Sequence, residues 1–314
     1  MRVLVTGGAG FLGSHVVQEL LLSGHEPVVL DNLTTGFAAN TPVGVPLIRA
    51  DVRDDLTELL AANRPHVVIH LAAQVSVPLS VQDPGNDLAV NVNGTVNVME
   101  AAARQGVRKV ISVSSAAVYG HPQRLPLTEA SPTLPLAPYG LSKLTAEQYV
   151  RLLGALRGIA YTIIRPANIY GPRQVCSGEG AVVPAFLERM RAGRDPVIHG
   201  DGSQTRDFIY VRDIARAILQ ALDLGDGLTL NVSTGVRTSV NELWHLLAEY
   251  IGWRRPTVHA APRAGDIEHS VMANDLARRV LRWEPAVTLE VGLAETVAWA
   301  LASEAAAART EGKP

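Results

Sequence analysis

The sequence has one cysteine, Cys176, so no disulfide can close within the chain, and a reducing cytosol is the expected compartment. Lys and Arg form no long run and the formal charge is only -2, which argues against the basic stripe that nucleic-acid binding requires. No stretch reaches the roughly 18 apolar residues of a membrane-spanning helix. The opening Met1-Arg2-Val3-Leu4-Val5 enters a strand pattern without a charged leader, a long apolar region or a cleavage site, so a soluble, untargeted protein is expected. There is no internal repeat. What the chain does have is 47% hydrophobic content over 314 residues, enough to bury the core of one large or two modest domains.

Short apolar, β-rich runs at 2–5, 27–30, 45–48, 66–70, 109–113 and 161–164 read as strands, and helical patterns at 11–23, 56–62, 88–105 and 139–157 lie between them. Strands without polar alternation, separated by helices, predict a parallel sheet covered on both faces, a doubly wound α/β fold of the Rossmann type. After Arg165-Pro166 the pattern breaks up around Pro172, Gly178, Gly180, Pro184, Gly193, Pro196, Gly200 and Gly202. Helices resume at 211–222, 240–251 and 289–301, which predicts a smaller, mixed α/β C-terminal region.

The segment Thr6-Gly7-Gly8-Ala9-Gly10-Phe11-Leu12-Gly13 joins a strand to a helix, the context in which a glycine-rich loop holds a dinucleotide pyrophosphate. Gly7 is expected to make the tight turn, Gly10 to admit the pyrophosphate and Gly13 to let the helix pack on the sheet. Asp31 ends the second strand, where a carboxylate accepts from ribose hydroxyls and repels a 2′-phosphate. With no Lys or Arg between Asp31 and Arg49, this favours NAD over NADP. Asp51-Val52, after the third strand, is placed to meet the adenine edge or simply to cap the chain.

Tyr139 and Lys143 are four apart in a helical pattern and therefore share a face. A tyrosine that is to act as a base must be brought from pKa about 10 to about 7, a cost of about 4 kcal/mol. One cation about 6 Å away contributes roughly 2.8 kcal/mol at an effective dielectric of 20. Lys143 and a positively charged nicotinamide together can supply the shift. The partner hydroxyl comes from Ser114-Ser115-Ala116-Ala117-Val118-Tyr119-Gly120 at the end of the fifth strand, with Ser115 preferred and Ser114 its competitor. Together these groups point to redox chemistry on a hydroxyl.

The glycine loop, the Tyr139/Lys143 pair, His70-Leu71-Ala72-Ala73, Asn91-Val92-Asn93-Gly94-Thr95, the run from Arg165 to Arg173 and the run from Gly200 to Asp213 resemble the extended short-chain dehydrogenase/reductases over nearly the whole chain. The resemblance is to their nucleotide-sugar epimerase branch, and most closely to the UDP-glucose 4-epimerases. It implies NAD as cofactor, a UDP-sugar as substrate, no metal, and a homodimer formed through the helices near 88–105 and 139–157. It places NAD on Phe11, Leu12, Asp31, Asn32, Gly36, Asp51, Val52, Leu71, Ala72, Ala73, Gln74, Asn91, Ser115, Tyr139, Lys143 and Ala167.

The same resemblance places the nucleotide-sugar on Asn168, Val182, Val183, Arg206, Arg263 and Asp266. His199 stands where relatives often present an aromatic ring to uracil, and Ser270 where some carry a bulky residue beside the sugar. The implied reaction is 4-epimerisation through a transient 4-keto sugar. Ala116 and Ala117 stand where 4,6-dehydratases carry an Asp-Glu pair, and Ala116 also where UDP-glucuronate decarboxylases carry a glutamate. For a UDP-glucuronate 4-epimerase the sequence after Gly171-Pro172-Arg173 departs from the usual pattern, although Arg173 remains a candidate for a carboxylate. An NAD-binding regulator without chemistry would ordinarily have lost the tyrosine or the lysine. The expected organisation is a dinucleotide-binding domain over 1–174, also receiving elements from 207–236, and a nucleotide-sugar-binding region over 175–314.

Overall fold

The computed structural model describes residues 1–176, 181–262 and 267–311. Six strands, β1 (Arg2–Thr6), β2 (Glu26–Asp31), β3 (Leu47–Arg49), β4 (Val67–His70), β5 (Lys109–Val113) and β6 (Ala160–Pro166), alternate with helices α1 (Phe11–Leu22), α2 (Thr57–Asn63), α3 (Val77–Gln82), α4 (Pro84–Leu88), α5 (Gly94–Arg104) and α6 (Pro138–Arg157). Then follow β7 (Asn168–Tyr170), α7 (Val182–Arg191), β8 (Val197–His199), β9 (Thr205–Arg206), β10 (Phe208–Tyr210), α8 (Val211–Gln220) and β11 (Leu228–Val232). The chain continues through β12 (Thr238–Ser239), α9 (Val240–Ile251), β13 (Val258–Ala260), α10 (Asp275–Leu281) and α11 (Leu289–Glu311).

The main sheet has seven parallel strands in the order β11-β6-β5-β4-β1-β2-β3. Its central strands are buried on both faces, which are both covered by helices. Val3 and Val5 of β1 pack with Val16, Val17 and Leu20 of α1 and Ile214 and Ile218 of α8. Leu4, between them, faces the opposite layer with Leu60, Val98, Met99, Val150 and Leu153. A third core, with Phe186, Leu187, Trp244, Leu247, Leu293 and Val297, joins α7, α9 and α11 beside the short paired strands β7 and β10.

The chain leaves β1 toward β2 on one side and meets β4 on the other, so the crevice at their carboxyl ends is the switch point where α/β sheets bind ligands. No helix among the described residues is long and apolar enough to cross a membrane.

Two expected helices differ in the structure. The segment expected as one helix over 88–105 is α4, a π-helical turn at Ala89–Asn93 and then α5. A π turn widens the helix by one residue, and the buried Asn91 lies within it. The last helix, expected to end at 301, runs on to Glu311. The strand expected at 45–48 pairs only from Leu47.

Helix α6 is bounded by Pro138 in its first turn and Gly158 (φ 69°) after its end. It is pinned to the sheet by one buried ion pair. Arg165 of β6 grips the Glu147 carboxylate with both arms of its guanidinium, Nε to Oε1 at 2.8 Å and Nη2 to Oε2 at 2.6 Å. Ser114 Oγ donates to Oε1 at 2.6 Å and Arg151 Nη2 to Oε2 at 2.8 Å. The network continues from Arg165 Nη1 to Tyr119 Oη at 2.9 Å and from Tyr119 to Asn231 Oδ1 of β11 at 2.6 Å.

Burial alone would raise the Glu147 carboxyl, but the hydrogen bonds and charge of Arg165 outweigh it and hold it below the ordinary range. Its contribution to stability is therefore complete above the unfolded value of about 4.3 and lost as pH falls through the lower folded value. Glu147→Ala leaves Arg165 buried without its counter-charge and should cost about 3–5 kcal/mol in denaturant unfolding at neutral pH. A loss below about 1 kcal/mol would show that the pair does not hold the helix.

Candidate active site

The glycine loop after β1 lies in the switch-point crevice. Gly7 has φ 69°, and a Cβ there would come within 2.7 Å of Ala72 N in the loop after β4. A Cβ on Gly13 would overlap the Gly7 carbonyl and reach 2.7 Å from Gly8 Cα, so this glycine lets α1 close on the loop that leaves β1. Gly8, which motif reading passed over, rests against Val29, with its virtual Cβ 2.9 Å from both methyl carbons. Among the described residues, Gly7 O at 3.2 Å is the one non-neighbouring atom within 4 Å of a Cβ on Gly10, leaving an open side from which a phosphate can approach. Gly10 is also the N-cap of α1 and supplies no capping side chain, so the N–H groups at Phe11 and Leu12 begin the helix at a natural anion seat. The cradle fits a dinucleotide pyrophosphate.

Asp31 is buried at the end of β2, where Oδ2 accepts from Ala9 N at 3.0 Å and Oδ1 from Leu33 N at 2.8 Å. Gly36 closes over it, its virtual Cβ 3.0 Å from each carboxylate oxygen. Asn32 and Asp51 are joined, Nδ2 to Oδ2 at 2.8 Å, and Arg53 pairs with the same Asp51 oxygen at 2.8 Å. Asp51 is thus held well below the usual carboxylate range, chiefly by Arg53, and its Oδ1 caps Arg53 N at 2.9 Å. Val52 is buried in the core beneath Gly94.

The segment from Leu71 to Gln74 is tied down at both ends. Thr6 Oγ1 accepts from Leu71 N at 3.2 Å and Ala72 N at 3.3 Å, while Asn91 Oδ1 accepts from Gln74 N at 2.8 Å. Asn91 Nδ2 lies 3.0 Å from the Gln74 carbonyl, 3.1 Å from Asp87 Oδ1 and 3.0 Å from Ser142 Oγ. Ser142 Oγ donates in turn to the Tyr139 carbonyl at 3.0 Å. Asn91, expected as a cofactor contact, therefore clamps the Leu71–Gln74 segment, including Ala73, to α6. Beside it His70 is bonded to Thr6 Oγ1 at 2.8 Å and Thr95 Oγ1 at 3.0 Å. Burial and then the Lys143 charge push it down to about 3, so the ring is neutral.

Tyr139 and Lys143 lie in the first turns of α6, and the Lys143 ammonium donates to the Val113 carbonyl, the last of β5, at 2.8 Å. Ser115 begins the short turn that follows, its Oγ accepting from Ala117 N at 3.0 Å. This turn sits directly on α6, since a Cβ on Gly140 would be 2.6 Å from Ala117 O. Ser115, Tyr139 and Lys143 therefore lie on two elements, the short turn and α6, that meet at the carboxyl end of β5. The two serines separate by partner. Ser114 donates to Glu147, whereas Ser115 caps the turn through Ala117 N.

Ala167 N bonds Val232 O at 3.0 Å and Asn168 N bonds Asp207 O at 2.9 Å, placing both where β6 passes into β7. Val182 opens α7 and Val183 is buried in the third core. His199 ends β8, its Nδ1 3.2 Å from Ala261 O. Arg206 on β9 and Ser270 are brought side by side, because Ser270 N donates to Thr205 O at 3.1 Å. Arg263 and Asp266 lie outside the described residues. Arg173 turns toward α1, with φ 71° and Nη2 3.0 Å from Gln18 Oε1 and 3.3 Å from His15 Nδ1.

The residues that reading by motif missed are those that hold others: Glu147, Tyr119, Asn231, Asp87 and Gly8. Glu147 alone carried a usable signal, standing four residues after Lys143 on the same helix face.

Residues 3–233 match the model of the NAD dependent epimerase/dehydratase family. The UDP-glucose 4-epimerase of Mycolicibacterium smegmatis is 45% identical over 305 residues, covering 95% of this chain and 97% of the relative. The crystal structure of the Thermotoga maritima UDP-glucose 4-epimerase with UDP-glucose superposes with a TM-score of 0.94 at 39% identity, covering 97% of this chain and 100% of that one. That of a UDP-N-acetylglucosamine 4-epimerase from Methanobrevibacter ruminantium, in complex with UDP-N-acetylmuramic acid, gives a TM-score of 0.91 at 33% identity, covering 96% and 98%. The chain belongs to the NAD-dependent epimerase/dehydratase family.

Proposed function

We propose that this protein is a UDP-sugar 4-epimerase that interconverts UDP-glucose and UDP-galactose and also accepts N-acetylated forms. The observation that carries the proposal is the meeting of the Ser115 turn with the start of α6, which bears Tyr139 and Lys143, at the carboxyl end of β5, where Lys143 bonds Val113 O at 2.8 Å. Bound NAD supplies a reversible hydride acceptor for C4 of the sugar, which links the two epimers through a 4-keto sugar. Tyr139, as phenolate, takes the 4-hydroxyl proton and later returns one to the same oxygen. Lys143 stabilises that phenolate by its charge, and Ser115 hydrogen-bonds the reacting oxygen. Arg206, with Arg263 and Asp266, anchors the nucleotide while the keto sugar turns its other face to the cofactor. Ala116 and Ala117 offer no acid or base beside Ser115, which disfavours dehydration and decarboxylation. Arg173 is engaged with α1, which disfavours a glucuronate substrate.

The domain division follows the same logic: 1–174, with 207–236 returning to it, holds NAD, and 175–314 holds the nucleotide-sugar. The β11 strand on the edge of the main sheet supports this. A cytosolic homodimer is the accompanying proposal. Leu141, Tyr149, Leu152 and Leu156 form an exposed apolar stripe along α6, suited to pairing with the same helix of a second copy. The direct test of function is incubation of the purified protein with UDP-glucose, UDP-galactose, their N-acetyl forms and UDP-glucuronate, with products separated by chromatography. Epimers formed without added cofactor support the reading, and no turnover of any of them sinks it.

Tyr139→Phe should retain NAD and lose about 10²-fold or more in activity. Lys143→Met should move the pH profile of the remaining activity upward, since the phenolate loses its cation. Activity above about half of the parent in the first variant, or an unmoved profile in the second, contradicts these roles. Asp31→Ala is expected to weaken NAD binding and narrow the preference over NADP when the apo-protein is titrated with each. Equal affinities in the parent protein would refute the role of Asp31. Ser270 leaves space beside the sugar C2 substituent, so Ser270→Tyr should reduce turnover of UDP-N-acetylglucosamine more than that of UDP-glucose. Parallel loss of both would show that Ser270 is not a size gate.

A further inference from the structure

One buried carboxylate joins the separate segments that carry the substrate candidates. Asp207, between β9 and β10, is 2% exposed. Its Oδ1 accepts from Thr234 N at 3.0 Å and from the Thr234 hydroxyl at 2.6 Å. Its Oδ2 accepts from Gly235 N at 3.0 Å and, at longer range, from Met272 N at 3.4 Å. Its backbone carbonyl accepts from Asn168 N at 2.9 Å. Burial pushes its carboxyl upward, and these donors oppose that push.

Each bond reaches a segment of the site. Asn168 is itself a candidate. Arg206 is the residue immediately before Asp207, and Met272 follows Ser270 by two positions on a segment already tied to β9 through Ser270 N and Thr205 O at 3.1 Å. Thr234-Gly235 is the turn that leaves β11 toward β12, and β12 pairs with β9 at Thr238 and Arg206. The carboxylate is turned wholly inward, with both oxygens taken by the protein, so it makes no contact with a ligand. It fixes the backbone from which Arg206, Asn168 and Ser270 project.

We propose that Asp207 is a positioning residue for the nucleotide-sugar half of the site, setting affinity for the UDP group without acting on NAD or on the reacting carbon. The inference rests on the nucleotide-sugar reading above. In Asp207→Asn an amide nitrogen must face an N–H donor, because backbone N–H groups approach both oxygens of the native side chain. Thr234→Val removes a single hydroxyl donor and leaves the carboxylate in place.

The test measures UDP affinity by calorimetry, NAD content by absorbance, and kcat and KM for UDP-glucose, on both variants purified as holoenzyme. Asp207→Asn should weaken UDP binding and raise KM by about tenfold, the scale of one buried hydrogen bond left unmade, with kcat within about threefold and NAD content unchanged. Thr234→Val should move the same quantities in the same direction by less. A folded Asp207→Asn holoenzyme that binds UDP as the parent does, or that loses UDP affinity and NAD together, overturns the inference. If Asp207→Asn does not fold, parental UDP affinity in Thr234→Val overturns it instead. A parent protein that binds no UDP overturns the nucleotide-sugar reading and the inference with it, whereas a parent that binds UDP beside unaffected variants overturns the inference alone.

Discussion

The candidate site depends on how α6 is held under the carboxyl ends of β5 and β6, and what holds it is the Glu147 carboxylate. A buried anion is costly unless its lone pairs are filled, and here Arg165, Ser114 and Arg151 fill them. The consequence for chemistry comes from helix geometry. Tyr139, Lys143 and Glu147 recur every four residues, so an ion pair that fixes Glu147 also fixes the rotation of the helix about its axis and with it the two groups nearer the crevice. By engaging Ser114, the same carboxylate orients the end of β5 and leaves the Ser115 turn against Gly140.

The two halves of the site are built by different means. On the dinucleotide side the backbone does the shaping. Gly7, Gly8 and Gly13 permit approaches that any side chain would block, Gly10 leaves an open side, and Asp31 and Thr6 stitch neighbouring loops together through N–H groups. On the substrate side the strands are short, β9 having two residues and β8 three, so ladder hydrogen bonds alone give little rigidity. Side chains compensate, with Asp207 spanning three segments and the third core packing α7, α9 and α11 behind them. Asn91 links the halves by tying the loop after β4 to α6.

Much of this was legible in the order of residues. Strands with both faces buried announce themselves as apolar-rich runs without regular polar alternation, and β5, expected at 109–113, is found there to the residue. The glycine spacing and the Tyr139/Lys143 pair are local patterns, so they survive translation into sequence. What was hidden is non-local. No spacing rule signals that Asn91 would sit on a π turn, that Ser114 would be claimed by a residue of the following helix, or that Asp207 would reach Thr234 and Met272. The β11 strand was expected only as an element of 207–236 returning to the first domain, since its neighbour β6 lies far away in the chain.

The proposed roles of Ser115, Tyr139 and Lys143 beside a dinucleotide cradle make one central claim: a single carbon of the sugar is oxidised and then reduced on its other face, with nothing exchanged with solvent at that carbon. The most direct measurement is the fate of deuterium placed on C4 of UDP-glucose, incubated with the holoenzyme and no added NAD, with the product analysed by NMR. The account predicts UDP-galactose that retains the label at C4 in full. Label lost to water, or a product dehydrated or decarboxylated in place of the epimer, would contradict it.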